Sequence, residues 1–235
     1  MFQVGTIHIF QESMKIELKN VLLRFDDKPE LLRDVNLVIE KGEFLLIRGP
    51  SGCGKTSLLR LLNRLADPDG GEIVFDGKPS VDDKVTSLRR RIAYLQQTPV
   101  MLEGTVRENL QFGFGFRSAE NSKSPDDAEL NEQMEKLLLN EVNLDDVAVN
   151  LSVGQQQRIA LIRSMLTQPD VLLCDEPTSA LDPESARLVE NCIERMCAED
   201  GVSVVMVTHS SYRPEKVKHR VLKIQAGKGL VEVTS

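Results

Sequence analysis

The chain has 235 residues, 41% of them hydrophobic, which is enough for one substantial domain with its own core and too little for that plus a membrane domain. Its longest apolar stretches, FLLI at 44–47 and VSVVMV at 202–207, are strand-sized against the roughly 18 residues a membrane helix needs, so the chain is expected to be soluble. A net charge of −7 argues against an extended nucleic-acid surface, which would need Lys and Arg clustered on one face.

The opening MFQVGTIHIF has no basic segment followed by a long apolar one, so no secretory signal is expected. Residues 14–47 alternate apolar and polar, with turns at KPE and EKGE, and predict antiparallel strands. A helical period takes over from Gly54 in KTSLLRLLNRLA and should stop at Pro68-Asp69-Gly70-Gly71. EIVFDGKPS reads as a hairpin turning at Asp76-Gly77. The basic run LRRR at 88–91 reads as a solvated turn or an anchoring patch.

From about residue 99 the texture becomes Gly, Ser and Asp rich, and AELNEQMEKLLLNEV then has helical spacing, which predicts an inserted, mostly helical and comparatively mobile subdomain. VLLC at 171–174 and VSVVMV at 202–207 are apolar without alternation, as parallel strands covered on both faces are, with a helix near 183–198 between them. Cys53, Cys174, Cys192 and Cys197 have neither metal-site spacing nor disulfide-scaffold density, which favours a reducing cytoplasm. The sequon Asn150-Leu151-Ser152 is then a chance match.

FLLIRGPSGCGKTSLLRLL sets G-x-x-x-x-G-K-T after a strand and before a helix, the context a phosphate loop requires. Gly49, Pro50, Ser51, Gly52, Cys53, Gly54, Lys55, Thr56 and Ser57 would wrap a phosphate in backbone N–H groups, Lys55 reaching the outer phosphates and Thr56 a Mg2+ ion. VLLCDEPTS places Asp175 and Glu176 at the carboxyl end of a buried strand, where one acid can hold the metal and its neighbour can activate water. His209 ends a third such strand and is a candidate for the terminal phosphate. Gln96 and Gln97 end the short apolar run before the insertion, where a glutamine could reach the metal or the attacking water. In NLSVGQQQR, Ser152 and Gln155 form a capping box ahead of the stripe Ile159, Ile162 and Leu166, on a helix that must end near Gln168. That helix start, with Gly154 beside it, is a second anion site.

Together these motifs resemble, over roughly residues 15–230, the ATP-binding-cassette ATPase subunits of ABC transporters. GPSGCGKTS is similar to their Walker A loop, CDE to the Walker B ending, LSVGQQQR to the signature, SALD at 179–182 to the D-loop, Gln97 to the Q-loop glutamine and His209 to the switch histidine. Phe25 matches the aromatic that stacks on adenine, where the family usually has tyrosine, and Val153 stands where the family usually has glycine. A β-branched residue resists positive φ, so Val153 is expected to take helical dihedrals.

The resemblance implies an α/β fold: a P-loop NTPase (RecA-like) core with an N-terminal antiparallel β subdomain at 14–97 and 170–235, and an inserted α-helical signature subdomain at 98–169, all one domain over 1–235. It implies ATP and Mg2+ as cofactors, with Thr56, Gln97 and Asp175 at the metal and Glu176, His209, Lys55 and Gln97 catalytic. It further implies a head-to-tail dimer in which Ser152, Val153, Gly154, Gln155 and Asp182 contact the nucleotide of a second copy. The expected partners are separate transmembrane permease subunits on the inner face of the cell membrane, with no nucleic acid. GQQQR is shared with phosphate-importer ATPases, while the short insertion and TPVMLEGTVRENL resemble small iron-export-type ATPases. A single-cassette iron-sulfur assembly ATPase is a further alternative.

Overall fold

The computed structural model describes residues 14–24, 31–80, 84–116, 123–225 and 229–233. Two sheets organise it. The first is antiparallel, in the order β2 (Leu32–Ile39), β1 (Ile16–Leu23), β4 (Gly70–Phe75) and β5 (Lys78–Pro79). Alternate residues of β1 and β2 are buried, as a sheet with one wet face requires. Asp76 and Gly77 both have positive φ, 48° and 79°, the geometry a two-residue hairpin turn needs.

The second sheet has the order β10-β9-β3-β8-β7-β6. Its members are β3 (Phe44–Arg48), β6 (Ile92–Leu95), β7 (Val171–Asp175), β8 (Ser203–Val207), β9 (His219–Gln225) and β10 (Gly229–Glu232), all parallel except the edge strand β10. Every residue of β7 and β8 is buried. FLLI departs from the expectation of antiparallel pairing across 14–47: its four residues are the buried four of the five in β3, and the strand joins the parallel sheet. Lacking any polar alternation, it has no face to give to water.

Alternation across this sheet sorts its residues into two cores. Leu45, Ile47, Leu173, Val205 and Val207 face the antiparallel sheet and α1 (Lys55–Leu62). Phe44, Leu46, Leu172, Cys174, Val204 and Met206 face the other side. There they meet α3 (Val106–Gln111), α4 (Asp127–Lys136), α5 (Val153–Leu166) and α6 (Pro183–Asp200).

Two local expectations need correction. Helix α1 ends at Leu62, several residues before Pro68, because Arg64 turns left-handed at φ 55° and the amides of Leu65 and Ala66 bond back to the Arg60 carbonyl. LRRR is part of α2 (Val85–Arg91) rather than a turn. Arg89 donates to the Asn63 and Arg64 carbonyls that close α1, and Arg91 pairs with Asp76 and with the buried Asp170.

Candidate active site

Strand β3 delivers the chain into the loop at 49–54. Gly52 and Gly54 have φ of 75° and 103°, which L side chains adopt only with strain, and a Cβ on Gly54 would press on Leu31 and Leu32 at 3.0–3.3 Å. No side chain caps α1, so the amides of its first turn remain available to an anion. Lys55 is 6% exposed, and its ammonium donates to the Gly49 and Pro50 carbonyls, each at 3.0 Å, holding the cation across the loop. Phe25 lies outside the described residues.

At the end of β7, Asp175 accepts on both oxygens: the Thr56 hydroxyl donates to Oδ1 at 3.1 Å and the Tyr94 hydroxyl to Oδ2 at 2.9 Å. Burial, reinforced by the Asp175 charge, pushes the Tyr94 hydroxyl well above the ordinary tyrosine range, so it stays protonated as a donor. Glu176 follows with φ 48°, a left-handed conformation rare for a non-glycine residue, pinned by its amide bonding to the Val207 carbonyl at 2.9 Å. That twist turns its carboxylate toward the neighbouring strand ends. His209 Nε2 lies 2.8 Å from Oε1, and the Gln97 amide donates to Oε2 at 3.4 Å and to the Ser179 hydroxyl at 3.4 Å. Gln97 from the end of β6 and His209 from the end of β8 therefore converge on the Glu176 carboxylate at the end of β7, and Gln97 sits there rather than in the Thr56–Asp175 pair.

The capped helix start at 152–155 stands on its own element. The Ser152 hydroxyl accepts from the Gln155 amide, and the Gln155 side chain accepts from the Ser152 amide at 2.9 Å, completing a capping box at the start of α5. Val153 is the first helical residue, has no positive φ and is half exposed. Gly154 backs onto Leu181, whose Cδ2 would lie 3.6 Å from an added Cβ. Asp182 caps α6 through the amides of Glu184 and Ser185, and the Ser185 hydroxyl, helped by those amides, holds its carboxyl below the usual range. No hydrogen bond among the described residues joins 152–155 to the loop at 49–57.

Sequence reasoning gave no individual role to Tyr94, to Ser179 of the SALD stretch or to Gln157 of LSVGQQQR. Gln157 is 2% exposed and donates from α5 to the carbonyl of Gln96 at 3.3 Å, tying the capped helix to the residue before Gln97. The signal for Gln157 was a polar residue next to the apolar stripe of α5.

Residues 32–179 match the ABC transporter family. Protein STAR1 of Oryza sativa subsp. japonica is 38% identical over 220 residues, which cover 93% of this chain and 62% of that protein, so the chain spans less than two thirds of that relative. The phosphate import ATP-binding protein PstB 1 of Vibrio parahaemolyticus is 36% identical, over 94% of this chain and 84% of its own length. A protein of Escherichia coli named probable iron export ATP-binding protein FetA is 34% identical, over 93% of this chain and 95% of its own. Among solved structures, the dimeric post-hydrolysis state of an ATP-binding cassette bound to ADP and Pi superposes with a TM-score of 0.77 at 28% identity, over 94% of this chain and 99% of that one. The chain belongs to the ABC transporter family and is an ATP-binding, ATP-hydrolysing cassette of it.

Proposed function

We propose that two copies of this chain close head to tail around ATP and Mg2+ and that their hydrolysis of ATP drives a separate membrane permease. The observation that carries the chemistry is the meeting of Glu176, His209 and Gln97 beside the phosphate loop. Glu176 takes the proton from the attacking water, which Gln97 orients from its other side. Lys55 leaves the Gly49 and Pro50 carbonyls for the outer phosphates, and His209 holds the γ-phosphate oxygens against Glu176. Mg2+ asks for oxygen donors and keeps only one or two from protein, which the Thr56 hydroxyl and the Asp175 carboxylate fit. Bound there, the ion would neutralise the phosphate charge that develops as the bond breaks.

Ser152, Val153, Gly154, Gln155 and Asp182 complete the site from the second copy, which explains a prepared helix start with no bond to its own phosphate loop. The post-hydrolysis cassette solved as a dimer supports this pairing. The 98–169 unit, tied to Gln97 through Gln157 and Gln96, passes the motion to permease subunits at the inner face of the membrane. No helix among the described residues is long and apolar enough to cross a membrane, in keeping with a peripheral subunit. The cargo reading that the iron-export relative supports is a metal ion moved outward. The GQQQR wording and the PstB 1 relative support phosphate import as the second reading.

Mixing tests the composite site. Lys55→Ala and Ser152→Arg chains are each expected to be inactive, and an equimolar mixture should regain ATPase activity, because one site of each mixed dimer is intact. A mixture that forms mixed dimers and stays inactive would refute the head-to-tail assignment. Isolation from membranes with a multi-span protein, and the ion that this protein moves, decides the cargo.

A further inference from the structure

Helix α6 carries two carboxylates one turn apart that the proposed reaction does not use. Glu194 is 3% exposed, and both of its oxygens are occupied. Oε1 accepts from the Tyr212 hydroxyl at 2.8 Å, and Oε2 accepts from the backbone amides of Glu215 at 3.0 Å and Lys216 at 2.7 Å. All three donors belong to the loop that follows His209. Burying a carboxylate is costly unless its lone pairs are filled, and an apolar side chain would pack this stripe, beside Ile193 and Cys197, without that cost. Glu190, one turn earlier, accepts from the Thr178 hydroxyl at 3.3 Å, two residues after Glu176.

The loop is also held from its other end. The Arg48 guanidinium, at the end of β3 where the phosphate loop begins, donates to the Tyr212 carbonyl at 2.6 Å. The Tyr212 amide donates to the Ser210 hydroxyl, and that hydroxyl lies 2.9 Å from the Thr208 hydroxyl, so polar contacts run from Tyr212 to both neighbours of His209. Glu190 and Glu194 thus brace from one helix the two turns whose residues, Glu176 and His209, meet at 2.8 Å.

We propose that Glu194 is a positioning residue for ATP hydrolysis, fixing the 210–216 loop on α6 and so setting His209 against Glu176. The proposal rests on the catalytic reading of Glu176 and His209 given above. A Glu194→Gln chain keeps the volume and leaves one acceptor oxygen for donors that used two. The His209 imidazole signals, identified by their loss in His209→Ala, should shift in the NMR spectrum of Glu194→Gln. The kcat should fall roughly 10- to 100-fold, the range expected for misplacing a catalytic group, while KM stays within about twofold. Added to His209→Ala, Glu194→Gln should slow turnover no further. Tyr212→Phe, which removes one donor and spares the backbone, should move the same signals and kcat less.

Unmoved His209 signals, an unchanged kcat, or independent losses that multiply in the double variant would each overturn the proposal. Full turnover by His209→Ala alone would instead overturn the catalytic reading of His209, and the shifted imidazole signals would still report what Glu194 holds.

Discussion

Replacing Glu176 with glutamine keeps the side chain's size and removes its capacity to take a proton. The carboxylate's two oxygens now have separate partners, His209 at 2.8 Å and Gln97 at 3.4 Å, and the carboxamide has one oxygen to offer them. One contact is therefore retained and the other faces an N–H group. A positioned base contributes about 10^2- to 10^4-fold, which corresponds to roughly 3 to 5 kcal/mol of barrier. Glu176→Gln should bind ATP with affinity close to that of the wild type, release phosphate at least about a hundredfold more slowly, and elute as a dimer in ATP. Single-turnover phosphate release and size-exclusion chromatography measure the two halves. Turnover at the wild-type rate would refute the assignment of Glu176 as base, whatever the dimer does.

Three further outcomes follow from the geometry. Tyr94→Phe removes the donor to Asp175 Oδ2 and should raise the Mg2+ concentration for half-maximal ATPase activity while leaving metal-free nucleotide binding unchanged, as a Mg2+ titration with a fluorescent nucleotide would record. Ser152→Arg breaks the capping box, so thermal unfolding should register a loss of about 0.5–2 kcal/mol, with ATP binding by the isolated chain intact and hydrolysis abolished. Cys53 is 8% exposed and its sulfur is tucked where only a glycine at position 49 leaves room. Alkylation of Cys53, followed by mass spectrometry, should therefore be slow, slower still with ATP, and inhibitory once complete.

The sequence was most legible where one period ruled a segment. Unbroken apolar runs marked β7 and β8, and the capping box marked the first residue of α5. The strand-end rule placed Glu176, His209 and Gln97 near one another, and their meeting on one carboxylate follows from sheet order, which no local pattern contains. Reading failed where long-range partners decide. The partners of β3 are β8 and β9, more than 150 residues away, so its sheet could not be inferred from its neighbours. Helix α1 stops on a left-handed arginine, where glycine would have announced the end. Arg89 and Arg91 look like a surface patch until the carbonyls and the carboxylates that they bind are folded into place. Glu194 sits on an apolar stripe, and its donors lie in a loop with no motif.

Glu176 sits at φ 48°, a conformation that costs a residue with a Cβ about 1 kcal/mol or more and that asparagine or glycine tolerates better. Selection for durability and selection for turnover therefore pull on this position in opposite directions. A population of variants screened only for survival of heating would drift from glutamate toward asparagine or glycine here, gaining a more relaxed backbone and losing the enzyme. In a chain of this family, a relaxed residue after the aspartate that ends β7 would mark a cassette kept for its shape, one that closes on nucleotide without consuming it.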